Sequence, residues 1–288
     1  MNASQELTLA NGRLAALSWG RPGAPTWLAL HGWLDNAASF SRLAPLLVEQ
    51  LDIRIVAIDF AGHGLSRRHP AGTDYAIWDY THDVLDVLES LELTQATLLA
   101  HSMGAGVSCL VAAALPEKVE RLVLIDGLGT LTTRAEDTAK QLRKGLLGHR
   151  RRSSSAPSYP DIESAVGARV GGGVTPIDAA TAEPLVIRNL ERDQHGHLRL
   201  RTDGRLLRPS MVRLCPDQVL AMLASIQAPV LLIEGEQGIL GERELSHRAR
   251  AAVSQLQRRV LPGGHHLHLE PATVAAVAEA IGEYCASA

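Results

Sequence analysis

Lysine is almost missing from this chain: Lys118, Lys140 and Lys144 are the only ones, and the remaining basic residues are arginine. That scarcity excludes nothing by itself. Cysteine is also scarce. Cys109, Cys215 and Cys285 are odd in number and far apart, which argues against a disulfide framework and for reduced thiols in a cytoplasmic setting. Excess positive charge is lacking too. The formal net charge of −3 offers no reason to expect nucleic acid or an anionic membrane as partner. No apolar run is long enough to span a bilayer. The opening MNASQELTLANG has no basic region followed by an apolar stretch, so no signal peptide is expected. What is there is an ordinary globular mix, 46% hydrophobic and 20% charged over 288 residues, enough for one large domain or one domain with an insertion.

Short, continuously apolar runs recur along the chain: Trp27–Leu30, Ile53–Phe60, Ala96–Ala100, Leu122–Ile125 and Val230–Ile233, with Gln257–Leu261 weaker. Such runs suit strands buried on both faces, as in a parallel sheet. Before them, Asn11-Gly12 marks a hairpin turn between Glu6–Ala10 and Arg13–Trp19. Between them lie helical patterns. Tyr80, Val84, Leu88 and Leu91 repeat at helix spacing, and Pro116 closes a helix that starts after Ser102. Pro271 is read as opening a last helix, with Val274, Val277, Ala278 and Ile281 as its apolar stripe. Alternating strand and helix predicts an α/β fold with a mostly parallel sheet.

Residues 128–215 break the rhythm with Arg-, Ser- and Gly-rich stretches, RKGLLGHRRRSSSAPS (143–158) and VGGGVTP (170–176). Ile162–Val170 and Asp178–Leu190 still read as helices. The segment is therefore expected to be a helical insertion, and Arg150-Arg151-Arg152 a solvated loop.

Three motifs carry chemistry. In LLAHSMGAG (98–106), Ser102 stands where a buried strand turns directly into a helix. Such a turn exposes the hydroxyl and admits only small residues on either side, here Ala100 and Gly104. The helix start aims free N–H groups at an oxyanion formed beside the serine. In LALHGWLDN (28–36), His31-Gly32 follows a strand, and the N–H groups of Trp33 and Met103 are the two candidate oxyanion donors. In PGGHHLHLEP (262–271), His265, His266 and His268 all lie in a loop where a general base would be held against the serine. Spacing alone does not choose among them. His266-x-His268-x-Glu270 also has the look of half a zinc site, but no matching ligand cluster is visible elsewhere, so no metal is expected.

Taken together, these motifs resemble the α/β-hydrolase superfamily. Strand-HGW, DFAGHGLS (59–66), strand-HSMG-helix and GGHHLHLEP follow the family's order over nearly the whole chain. HGWLDNAASF (31–40), DGRL (203–206) and the histidine-rich ending are most similar to its serine hydrolase-like branch. The resemblance implies a mostly parallel eight-stranded sheet. It implies a core of residues 1–127 and 216–288, with 128–215 as a helical cap after the sixth strand. It picks His265 as base, from the pattern G-H-x-x-x-x-E, and gives His101 a packing role.

The acid is the puzzle. In most members it follows the strand after the cap as G-x-x-D, but Gly235-Glu236-Gln237-Gly238 has no side chain at that place. Some members take the acid from the end of the preceding strand, which here offers Asp126 in RLVLIDG. Asp126 is the expected acid, with Glu236 and Glu234 as rivals, and adding Gly238→Asp to Asp126→Asn is expected to restore part of the activity if position 238 still points at His265. The implied function is cleavage of a small or medium carboxylic ester, without metal or organic cofactor. Thioester, lactone or carbon–carbon bond hydrolysis would use the same groups. Ser102 counts against the dehalogenases and epoxide hydrolases of this fold, which use an aspartate nucleophile. A protein that keeps the fold only to bind a ligand is the competing class, and Gly238 is its only support.

Overall fold

In the computed structural model, which describes residues 4–151, 157–173 and 175–287, the chain opens with the expected hairpin. β1 (Gln5–Leu9) and β2 (Leu14–Trp19) pair antiparallel around a turn with positive φ at Ala10, Asn11 and Gly12. Then β3 (Thr26–Leu30), α1 (Leu43–Leu51), β4 (Arg54–Ile58), α2 (Tyr80–Ser90), β5 (Ala96–His101), α3 (Met103–Ala114) and β6 (Val119–Ile125) alternate as the apolar runs predict. Every residue of β5 is buried, which accounts for its unbroken apolar run.

The insertion follows β6. It holds α4 (Thr138–Arg150), β7 (Ser158–Tyr159), α5 (Ile162–Gly172), α6 (Ala179–Asn189), β8 (Leu190–Arg192) and β9 (Leu198–Leu200). Both helices read from the sequence are present. Of the basic run read as a solvated loop, Arg150 instead ends α4, and Arg151 follows it, exposed. His149 and Arg150 in the last turn suit the negative end of that helix. Arg152, the rest of 152–156 and Val174 lie outside the described residues. A three-stranded sheet, β7-β9-β8, has strands too short to leave a periodic signal.

The chain then completes its main layers with α7 (Pro216–Ala224), β10 (Val230–Gly235), α8 (Glu244–Ala252), β11 (Leu256–Leu261) and α9 (Val274–Ala286). The last helix begins at Val274, not at Pro271; Pro271 lies in the turn before it. Its four stripe residues are buried as expected. The main sheet has eight strands in the order β1-β2-β4-β3-β5-β6-β10-β11, antiparallel through β1, β2 and β4 and parallel beyond. One core lies between the sheet and α1 and α9, the other between the sheet and α2, α3, α7 and α8. Among the described residues, no helix is long and apolar enough to cross a membrane.

Polar contacts tie the insertion to the strand ends where the motifs lie. Arg188 of α6 pairs with the fully buried Asp59 after β4 and with Glu6. Asn36 donates to the Leu185 carbonyl at 2.8 Å, and the Trp33 indole donates to the Leu206 carbonyl at 3.0 Å. The DGRL motif acts as a clamp. Asp203 accepts from the Tyr75 hydroxyl, while Arg205 donates to the carbonyls of His69, Pro70 and Thr73.

Candidate active site

Ser102 is the whole connection between β5 and α3, and its backbone shows the strain of that turn, with φ 52° and ψ −111°. A non-glycine residue held there costs about 1–3 kcal/mol and persists only where its surroundings fix it. They do so from two sides. Ser102 N–H donates to the Ile125 carbonyl of β6, and Gly104 N–H donates to the His31 carbonyl, both at 3.1 Å. A side chain at Gly104 would run into the carbonyls of Leu30 and His31, so glycine is required where the two loops touch. Alanine in place of the usual glycine at position 100 is tolerated: it is fully buried, and the pairing of β5 with β6 continues through His101.

The other candidates meet at this turn. His265 Nε2 lies 2.9 Å from Ser102 Oγ, and His265 Nδ1 lies 2.6 Å from Asp126 Oδ2. His265 sits in the loop after β11, braced by Glu270, whose carboxylate accepts the Gly264 N–H at 3.2 Å. That bond gives the G-H-x-x-x-x-E pattern a physical reason. Burial, helped by neighbouring His101, lowers His265 below the ordinary histidine range, while Asp126 opposes the shift. Asp126 is fully buried at the end of β6 with φ 43°, and its Oδ2 also accepts the Ile239 N–H at 2.8 Å.

Gly238 is explained by the same carboxylate. A Cβ built on Gly238 would lie 2.6 Å from Asp126 Cγ and closer still to Oδ1. The side chain of Asp126 occupies the space that one on residue 238 would need. The two rivals are elsewhere. Glu234 is buried but bound by Arg250 at 2.7 and 2.8 Å and by Arg258 at 2.9 Å. Glu236 is exposed on the loop.

The candidate oxyanion donors follow the ends of two neighbouring strands, β3 and β5. Met103 opens α3 and Trp33 follows the β3 exit. Among the described residues, neither backbone N–H donates to a protein acceptor. His31 serves as a strut between strand exits: its Nδ1–H donates to the Gly32 carbonyl at 2.7 Å and its Nε2 accepts the Phe60 N–H at 3.0 Å. Burial lowers its pKa to about 4, so it stays neutral and that tautomer holds.

The remaining histidines separate by partner. His101 Nε2–H donates to the His265 carbonyl at 2.8 Å, His266 Nε2 meets Asp35 Oδ2 at 3.1 Å, and His268 Nε2 meets Ser39 Oγ at 2.8 Å. Glu270 is committed to the loop, so His266, His268 and Glu270 do not form a ligand set. A different trio is gathered instead. Asp35, His101 and His266 are all buried and their ligand atoms lie within 4.8 Å of one another. Sequence reasoning missed Asp35, whose only signal was its place four residues after His31 in HGWLD.

Comparison with known proteins identifies the family of the chain. The model of the alpha/beta hydrolase fold family matches residues 25–272. A serine hydrolase-like protein of Dictyostelium discoideum is 34% identical over 89% of this chain and 74% of its own length. Among solved structures, a hypothetical protein of Pseudomonas aeruginosa PAO1 has a TM-score of 0.88 and 42% identity, over 99% of this chain and 100% of that one. The thioesterase domain from the curacin biosynthetic pathway has a TM-score of 0.80 and 26% identity, over 100% of both chains. The chain belongs to the alpha/beta hydrolase fold family and is a hydrolase of its serine hydrolase-like branch.

Proposed function

We propose that this hydrolase cleaves a small or medium carboxylic ester through an acyl-enzyme, with Ser102 as nucleophile, His265 as base and Asp126 as acid. The observation that carries the reading is the hydrogen-bonded chain from Ser102 Oγ through both nitrogens of His265 to Asp126, at 2.9 and 2.6 Å. Ser102 Oγ attacks the acyl carbon as its proton passes to His265 Nε2. The Nδ1–H of His265 goes on donating to the Asp126 carboxylate, which fixes the tautomer and stabilises the imidazolium. The N–H groups of Trp33 and Met103 hold the oxyanion. His265 then returns the proton to the leaving alcohol, and a water activated by the same nitrogen releases the acid. Residues 128–215 act as the cap that limits which acyl and alcohol groups reach Ser102.

A thioester substrate is the second reading, favoured by the full-length similarity to a thioesterase domain. Aryl esters and matched thioesters of increasing acyl length separate the two. Ester turnover with a burst of released phenol and an acyl adduct on Ser102 is the expected result. A strong thioester preference supports the second reading, and no turnover of either would favour a ligand-binding protein.

The base must be neutral to accept a proton, and burial lowers His265. The acidic limb of kcat/KM is therefore expected below the ordinary histidine value of about 6.5. Activity should stay level from neutral pH downward and fall only as pH drops through that lowered value. A limb centred above 7 would contradict the assignment.

A further inference from the structure

Behind His265 lies a buried group that the reaction above does not use. His101 Nε2 donates its proton to the His265 carbonyl, which can only accept. Neutral His101 therefore has a bare lone pair on Nδ1, and this atom lies 3.6 Å from Asp35 Oδ2. Two lone pairs face each other there with no proton between them. The same Oδ2 lies 3.1 Å from His266 Nε2. Asp35 and His101 are 2% and 0% exposed, and among the described residues Asp35 Oδ1 and His101 Nδ1 have no hydrogen-bond partner. Burial favours the neutral form of His101, reinforced by His266 and opposed by Asp35. Around Asp35 Oδ2 the site is therefore electron-rich and buried, and the one guanidinium near it, that of Arg169, faces the other oxygen.

We propose that Asp35, His101 and His266 form a binding site for a divalent transition metal of the zinc class, placed behind the catalytic histidine. Neighbouring ligand atoms around a tetrahedral zinc lie roughly 3.3 Å apart, and the two distances from Asp35 Oδ2 bracket that value. Two imidazoles and one carboxylate suit zinc or cobalt better than magnesium or calcium, and they leave a fourth position for water. Arg169 of α5 reaches toward the other carboxylate oxygen, with its Nη2 3.9 Å from Oδ1. Asp35 can thus face the guanidinium with one oxygen and the imidazoles with the other. The rings of His101 and His265 are 4.5 Å apart. A cation held by His101 would disfavour imidazolium formation at His265, and turnover should fall by about tenfold or more when the site fills.

The test titrates the full-length protein with cobalt(II) and zinc(II). It carries His195→Gln and His197→Gln, which remove the exposed imidazole pair of the β8–β9 hairpin. The site should take one equivalent of metal, with visible cobalt absorption bands of a four-coordinate centre. Binding should survive His265→Ala. In His266→Gln and Asp35→Asn it should weaken by more than the ten- to about hundredfold that loss of an outer partner costs. Loss of binding in His265→Ala with retention in His266→Gln would put the metal in the triad and overturn the proposal, as would no binding at millimolar metal. Should both cluster variants fail to fold, X-ray absorption of the zinc-loaded parent decides: two imidazole ligands support the site and one overturns it.

Discussion

Ser102→Ala should lower turnover of an aryl ester by about 10⁶-fold, the size of loss seen when the nucleophile of a serine protease is removed. Thermal unfolding should barely move. The hydroxyl makes one hydrogen bond, to His265, and losing it is worth about 1 kcal/mol. The strained backbone and its two anchoring bonds do not depend on Oγ. Among the described residues, no neighbouring serine is placed to substitute. Ser39 is bound to His268, Ser66 donates to the Asp59 carbonyl, and Ser108 donates to the Gly104 carbonyl. Covalent modification by a fluorophosphonate that persists in Ser102→Ala would remove Ser102 from the mechanism.

Asp126→Asn should cost about 10⁴-fold in kcat, since asparagine keeps the shape but favours the wrong tautomer of the histidine it faces. The loss should be nearly complete here. Asp126 is fully buried, and neither glutamate of the neighbouring strand and loop contacts His265 in its place. Glu236→Gln should remain close to wild type. The geometry argues against the conditional expectation that Gly238→Asp would rescue Asp126→Asn. Asparagine fills the same volume as aspartate, so a side chain at 238 would still collide with it. Rescue requires exchanging both residues. Asp126→Gly empties the space and relieves the positive φ at 126. Gly238→Asp added to it should raise kcat by roughly a hundredfold over Asp126→Gly alone, because the two changes act on one volume and are not additive. Gly238→Asp alone should destabilise the protein. If it is neutral, the two positions do not compete for space.

Much of this was legible in the sequence because the central strands are buried on both faces. β3, β5, β6 and β10 read as apolar runs, and the motifs sit at their ends. Ser102 was marked by a local pattern, its strand-to-helix turn, whereas His265 was singled out from His266 and His268 only by the resemblance to the family's G-H-x-x-x-x-E. Asp126 was visible only as an aspartate at a strand end, where many serve no chemistry. Its contact with His265 spans 139 residues, and no local pattern encodes that. Asp35 escaped for the same reason, since His101 reaches it from the end of β5 and His266 from the loop after β11. The amphipathic pattern of α4 was hidden by its glycines and arginines: Gly145 packs against Met211 and Gly148 against Pro209, contacts that override weak local propensity.

The most direct test of the central claim is the rate at which a fluorophosphonate modifies the protein, compared among wild type, Asp126→Asn and Glu236→Gln, with the modified peptide identified. An activated Ser102 held by His265 and Asp126 predicts rapid labelling on Ser102 alone in wild type and Glu236→Gln. It predicts labelling slowed by orders of magnitude in Asp126→Asn. Slow labelling of Glu236→Gln beside fast labelling of Asp126→Asn would contradict the account and return the acid to the loop after β10.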